Sequence, residues 1–284
     1  MRERRIFFMR HGERCDFLMG NKGSGFMKTA FDSNGKYTPF DINLPRTLPK
    51  RADGWQAFAT DTPLTEIGYL EAKLTGRAYK DKHIVIDHIY CSPALRCVQT
   101  AVGFIKGSGS NLTFSIEPGL FEYMMWCRHG RPSWMQPSEF VKLGYPVQSE
   151  NEHIIKANEL VIEETLDDFY RRSELVIREL CQRHPNGNIL FVVHGPSMEA
   201  CTRLITGGKP RNNEEFFHVL LQSSYLANIE LKEVKPGRFM FNGRAVPPLT
   251  VSAISTFNPR ILEMTDEEVR EEIRKKNIER PKYS

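Results

Sequence analysis

Ile6-Phe7-Phe8-Met9-Arg10-His11-Gly12-Glu13-Arg14 sets four apolar residues directly before a basic loop built around one histidine and one glycine. A short unbroken apolar run of this kind reads as a strand buried on both faces, as in a parallel sheet. Asn188–Val193 repeats the pattern and is again followed by a histidine and a glycine, His194-Gly195. Ile84–Tyr90 is a third such run, closed by Cys91-Ser92-Pro93, where proline suits the first turn of a helix reaching about Ile105. Between the runs lie stretches of helical period. Ile67, Leu70, Leu74 and Ala78 follow an N-cap at Thr65, and a helix or helix pair is expected from about Asn158 to Arg183. Leu112–Ile116 is a further expected strand, Pro196 starts another helix, and Tyr225–Val234 with Arg238–Phe241 is expected as a closing antiparallel pair. Strands alternating with helices are the signature of βαβ units. The expected fold is α/β, with three layers (αβα) around a mostly parallel central sheet.

Composition narrows the function classes. The net charge of +4 is too weak, and the basic residues too scattered, for a nucleic-acid partner. The longest apolar runs, such as Ile189–Val193, fall far short of the ~20 residues of a membrane helix. Only Ile6–Met9 follows the basic Met1–Arg5, against roughly 7–15 apolar residues in a signal peptide. A soluble, cytoplasmic protein without a membrane partner is therefore expected. The six cysteines show neither Cys-x-x-Cys nor zinc-type spacing, which predicts reduced thiols and no metal site.

One domain is expected over residues 1–257, carrying a Gly- and Pro-rich insertion at about 15–62 that suits a lid or rim. Within it Gly20-Asn21-Lys22-Gly23-Ser24-Gly25 lacks the order of a phosphate loop. Tyr123–Asn151 is irregular and suited to covering a pocket. Residues 258–284 form a charged tail with a helical start at Thr265-Asp266-Glu267-Glu268 and an end near Asn277. With so few apolar residues, that tail is expected to stand free or to dock on a partner.

The chemistry concentrates at strand ends, where open α/β sheets bind ligands. Arg10 and Arg14 flank His11, and guanidinium groups bind phosphate through forked, charge-assisted hydrogen bonds. Positive neighbours hold a histidine neutral, which leaves a ring lone pair free to attack. The competing reading is a surface loop of unrelated charges. Arg96 sits near a helix N-terminus, which itself attracts anions, and adds a third guanidinium. His194 is either a packed strand-end histidine or a second member of the site. Three strand ends thus turn His11, Arg96 and His194 toward one edge of the sheet.

Arg10-His11-Gly12-Glu13-Arg14, Ser92-Pro93-Ala94-Leu95-Arg96 and His194-Gly195 resemble the signatures of the histidine phosphatase superfamily, the phosphoglycerate-mutase-like fold. Thr62-Pro63-Leu64-Thr65-Glu66-Ile67-Gly68 resembles the segment before that superfamily's first helix. Ile86–Ala101, Glu117-Pro118-Gly119-Leu120-Phe121-Glu122 and Met198-Glu199-Ala200-Cys201-Thr202 resemble one branch of it. That branch is the phosphatase domain of the suppressor of T-cell receptor signalling proteins and the insect ecdysteroid-phosphate phosphatases. The resemblance covers roughly Arg5 to Thr250.

The resemblance implies a metal-independent phosphomonoesterase with no cofactor. His11 would be the nucleophile, forming a phosphohistidine. Arg10, Arg14, Arg96 and His194 would grip the phosphoryl oxygens. Glu122 would be the general acid and then the base, with Glu117, which precedes a proline, as the less favoured carboxylate. The implied substrate is a phosphoprotein, as for a protein tyrosine phosphatase, or a small, bulky phosphate ester. Phe26, Phe31, Trp126 and Trp134 are candidates to line an apolar wall, or else are packing anchors. A homodimer is implied as well. The domain begins almost at Met1, so adaptor roles that rest on preceding ubiquitin-binding and SH3 modules are not expected. Gly195-Pro196 departs from the branch and is expected to shift the pocket wall. The alternatives are a phosphate-binding scaffold with little turnover and a phosphoglycerate-type mutase.

Overall fold

β1 (Arg5–Arg10) runs through the middle of the molecule with Ile6, Phe7, Phe8 and Met9 wholly buried. The structure, a computed structural model, describes residues 4–18, 24–150, 152–247, 249 and 259–279. After β1 come α1 (Cys15–Leu18), α2 (Ser24–Ala30), α3 (Glu66–Asp81), β2 (His88–Cys91), α4 (Leu95–Ser108) and β3 (Ser115–Ile116). α5 (Pro137–Lys142), α6 (Leu166–Arg183), β4 (Ile189–Val193), α7 (Gly195–Arg203) and α8 (Asn213–Leu220) follow. β5 (Asn228–Lys235), β6 (Arg238–Phe241), α9 (Arg260–Glu263) and α10 (Asp266–Glu279) complete the described chain.

The six strands form one sheet in the order β3-β2-β4-β1-β5-β6. The first four are parallel to one another, β5 pairs antiparallel with β1 and β6 antiparallel with β5, so the expected α/β sheet forms. Successive side chains of a strand point to opposite faces. Phe7 and Met9 accordingly pack with Ala72 and Tyr79 of α3 and Val98 of α4. Ile6 and Phe8 pack on the other face with Val176 and Ile177 of α6 and Met198 of α7. β4 divides in the same way, with Leu190 and Val192 on the first face and Ile189, Phe191 and Val193 on the second. Two covered faces explain why these strands are apolar without alternation. The chain leaves β1 toward α3 on one face and leaves β4 toward α7 on the other. That divergence opens a crevice above the carboxyl ends of β1 and β4, the usual ligand position in such sheets.

Several boundaries differ from expectation. β2 begins at His88 rather than Ile84. The backbone N–H groups of Asp87 and His88 both donate to the Asn188 carbonyl, and Asn188 Nδ2 donates to the Val85 carbonyl, so a side chain closes this end of the ladder. β3 keeps only two residues, with Phe114 bridged instead to Val147. α6 begins at Leu166, where Thr165 and Asp168 close a capping box, and only a short 3-10 turn at Ala157–Glu159 precedes it. β5 begins at Asn228 rather than Tyr225, because Leu226 turns with φ of 53°. The glycine-rich stretch at Gly20–Gly23 lies outside the described residues.

The described part of the charged tail packs on its own chain rather than standing free. Thr265 caps α10 with Glu268, as its sequence predicts, but the helix lies on α8 of the same chain. Val269 is wholly buried, Arg270 Nε meets Glu215 at 2.6 Å, and His218 meets Glu272 at 3.1 Å. Asp266 receives Arg203 and Arg211 at 2.7 and 3.1 Å. The few apolar residues of the segment are buried in this docking, and ion pairs flank them. No described helix is long and apolar enough to cross a membrane.

Candidate active site

The loop after β1 is fixed before any ligand arrives. A Cβ on Gly12 would lie 2.6 Å from the Gly68 carbonyl oxygen, and one on Gly68 would lie 2.4 Å from that of Glu13. Only two glycines let these backbones touch. The Glu13 carboxylate accepts from Thr65 Oγ1 at 2.8 Å and Asn43 Nδ2 at 2.9 Å, bolting the loop to the start of α3. This is the physical content of the Thr62–Gly68 segment.

His11, 2% exposed, stands at the end of β1. Its Nδ1 lies 2.8 Å from the Gly12 carbonyl, which can only accept, so Nδ1 carries the proton and Nε2 keeps its lone pair. Burial first, then Arg96, Arg10 and Arg14, hold this ring well below the ordinary histidine range. His194, at the end of the neighbouring β4, lies edge-on to it with ring centroids 5.3 Å apart. Arg96 Nη2 donates to His194 Nδ1 at 3.2 Å, so the proton of the neutral ring sits on Nε2 and goes to Ser92 Oγ at 2.7 Å. His194 is likewise held low, by burial and then by Arg96.

Arg96 emerges from the first turn of α4 and is 1% exposed. Its Nη2 meets Glu122 Oε1 at 2.5 Å, while Glu122 Oε2 lies 3.7 Å from His194 Nδ1. Arg10 donates to the Ser223 carbonyl and lies over the Tyr225 ring at 4.5 Å. A Cβ on Gly195 would meet its Cζ and Nε at 3.5 Å, so the glycine before Pro196 makes room for this guanidinium. Arg14 spends Nε and Nη2 on Asp16, at 2.7 and 2.6 Å, leaving Nη1 for a ligand. Burial would lower Arg14, but Asp16 and then Glu122 raise it above its ordinary value. Three nitrogens of the crevice, Arg10 Nε, Arg96 Nε and Arg96 Nη1, are buried without a hydrogen-bond partner among the described residues. Buried charged donors left unpaired are costly, and an oxyanion is the group that satisfies them.

The structure thus brings His11, His194, Arg10, Arg14, Arg96 and Glu122 into one crevice. Glu117 is elsewhere. It is wholly buried and accepts from the backbone of Gly119, Ile154 and Ile155, so it ties loops together. Burial raises its carboxyl above the usual range, against the pull of those N–H groups. Phe26 and Phe31 do not line the crevice; they join Tyr37, Trp55 and Phe58 in a core cluster. Trp134 is buried against Phe121, whose ring supports His194 from behind. Trp126 alone of the four is substantially exposed, at 42%. Sequence reasoning missed Asp16 and Asp61, which orient Arg14 and α4, and took Ser92 as part of a motif without its bond to His194. Asp16 left a signal, two residues after its arginine. Among the described residues no His, Cys, Asp and Glu side chains cluster in threes that would hold a metal ion.

Residues 48–236 match the family model described as Histidine phosphatase superfamily (branch 1), a stretch that includes Arg96, Glu122 and His194. The ecdysteroid-phosphate phosphatase of Drosophila melanogaster is 37% identical over 236 residues, which cover 81% of this chain and 31% of that protein. The ubiquitin-associated and SH3 domain-containing protein B of Homo sapiens is 35% identical over 265 residues, covering 91% of this chain and 40% of that protein. This chain therefore spans less than half the length of either relative. The crystal structure of the ecdysone phosphate phosphatase of Bombyx mori, in complex with tungstate, superposes with a TM-score of 0.75. It is 30% identical and covers 91% of this chain and 99% of that one. With a family match across most of its length and one architecture shared nearly end to end, this chain belongs to the histidine phosphatase superfamily, branch 1, and has its phosphoglycerate-mutase-like α/β fold.

Proposed function

We propose that this protein is a phosphomonoesterase that works through His11 without a metal ion. The observation that carries the reading is the set of unpaired, buried guanidinium nitrogens of Arg10 and Arg96 around a neutral imidazole. A phosphoryl dianion fits that donor set, and three guanidinium groups supply the positive charge that a metal ion supplies in many phosphoryl-transfer enzymes. Tungstate, also a tetrahedral oxyanion, is bound in the Bombyx mori relative.

His11 Nε2 attacks phosphorus, and the bond from phosphorus to the ester oxygen breaks. The entering dianion competes for Arg96 Nη2, which frees Glu122 Oε1 to carry a proton and pass it to the departing oxygen. Glu122 then takes a proton from water as that water attacks phosphorus and the P–N bond breaks. Negative charge in the crevice also offsets the repulsion from Arg96, so as the dianion enters, His194 takes a proton from solvent at Nδ1 and becomes a donor to a phosphoryl oxygen.

The substrate in this reading is a bulky monoester, such as phosphotyrosine or another large apolar ester. Trp126 and Phe217, 42% and 41% exposed, tilt toward each other with centroids 6.3 Å apart. Trp126 follows Glu122 by four residues. Phe217 stands one turn before Leu220, whose Cδ1 lies 2.9 Å from where a Gly195 Cβ would be, beside Arg10. An exposed aromatic pair so near in sequence to Glu122 and Leu220 suits an apolar leaving group.

His11→Ala is expected to lower kcat on p-nitrophenyl phosphate by several orders of magnitude. Acid-labile, base-stable phosphate should be trapped on the wild type and not on the variant. Equal turnover by both proteins would sink the reading. Tight phosphate binding with no turnover by the wild type would favour a scaffold.

A further inference from the structure

Glu122 stands on a short extended link between two 3-10 turns, Pro118–Leu120 and Met124–Cys127, with no regular element of its own. A carboxylate on such a link gains catalytic precision only if something else fixes its backbone. Arg172 of α6 does so. Its side chain is 8% exposed and reaches across the core. Nη1 donates to the carbonyls of Gly119 and Phe121 at 2.7 and 3.0 Å, and Nη2 to that of Glu122 at 3.2 Å. Nε and Nη2 also meet Glu164, at 2.9 and 2.7 Å. Glu164 Oε1, in turn, accepts from the Met124 amide at 2.7 Å. All five guanidinium N–H donors are thus engaged. Together the two side chains hold three carbonyls and one amide that bracket Glu122.

We infer that the Arg172–Glu164 pair is a positioning device for Glu122, setting how well it delivers and recovers the proton. The inference rests on the reading of Glu122 as acid and base. Neither Arg172 nor Glu164 is bonded to His11, His194 or the three arginines of the crevice, so the pair acts through Glu122 and does not touch the phosphoryl group. Lysine offers three donors from one point and cannot span the fork, so Arg172→Lys weakens the grip while keeping the charge that Glu164 needs.

The experiment measures kcat/KM for Arg172→Lys and Glu164→Gln over phosphate monoesters ranging from nitrophenyl to simple alkyl leaving groups. Alkoxides need the proton and nitrophenolate scarcely does. Since general acid catalysis contributes about 10²–10⁴-fold, each variant is expected to lose about 10–100-fold on alkyl esters and under about threefold on nitrophenyl phosphate. Inhibition by orthovanadate should stay within about twofold of wild type. In a Glu122→Gln background, Arg172→Lys should add no further selective loss, because coupled residues are not additive. Glu164→Gln keeps the shape of the pair and gives the same reading should Arg172→Lys fail to fold. Equal losses on every ester, or losses that multiply with those of Glu122→Gln, would overturn the inference. A flat Glu122→Gln profile would overturn the acid role as well. A selective Glu122→Gln profile beside flat profiles for the pair would overturn only the positioning role.

Discussion

An imidazole boxed in by guanidinium groups cannot readily take up a proton, and the chain meets that cost when it folds. In the unfolded state His11 and His194 titrate near 6.5. In the fold, burial and then Arg96 keep both neutral well below that value. Folding therefore releases protons below about pH 6.5. The stability at stake is fully present above that value and is lost as pH falls toward the folded pKa, by up to ~1.4 kcal/mol per pH unit for each ring. Glu71, pushed up to about 7 by burial, works in the opposite sense over the same range, so a difference must be read. In buffer free of oxyanions, urea unfolding should show a smaller stability loss from pH 7 to pH 5 in His11→Asn than in wild type. Identical losses would mean that the His11 ring protonates normally in the fold. The basic residues of the crevice were readable because they follow an apolar run or open a helix, whereas Glu122 was reached through the family resemblance alone. Ser92 was legible as part of a motif, but its bond to His194 Nε2 acts across 102 positions and left no local trace.

α4 carries Arg96 on its first turn, and its own N-cap residue, Ala94, makes no side-chain cap. The cap comes from the insertion. The Leu95 amide donates to Asp61 Oδ1 at 2.8 Å, and Arg51 Nη1 meets Asp61 Oδ2 at 2.8 Å with both side chains almost fully buried. Burial pushes the Asp61 carboxyl up, while Arg51 and the Leu95 amide pull it back. Arg51 also reaches the Ser133 carbonyl, so two irregular stretches meet on this helix end. Asp61→Ala strands a buried cation and is expected to cost about 3–5 kcal/mol. It should also lower turnover, because the turn that aims Arg96 loses its cap. Chemical denaturation and kcat on the same samples check both, and an unchanged midpoint would refute the role given to Asp61. Helices with a local signal were legible in advance: Thr65 caps α3 and Thr265 caps α10 as their spacing predicts. Capping rules inspect the residue beside a helix, so a cap supplied from 34 positions away escapes them.

The described C-terminal segment closes the second core as well as decorating it. Ile261, Leu262, Met264 and Val269 are buried among residues of α7, α8 and the sheet. Each is worth about 1.5–3 kcal/mol when buried, against a typical whole-protein stability of about 5–15 kcal/mol. A chain ending at Asn258 should therefore melt at much lower temperature and bind apolar dyes. It should also lose turnover, since α10 braces α8, and the turn after α8 supplies the Ser223 carbonyl that holds Arg10. Unchanged melting would assign the segment a different task. The pairing of β1 with β4 has a longer reach. Arg10 stands opposite Val193, so the two histidines that follow leave the same rung of the ladder on neighbouring strands. Their spacing is inherited from the sheet, whereas Trp126 and Phe217 are exposed on a 3-10 turn and on α8. A slip of one residue between these two strands would turn the buried side chains of one to the opposite face and part the two histidines, so the register of one strand pair holds the crevice together.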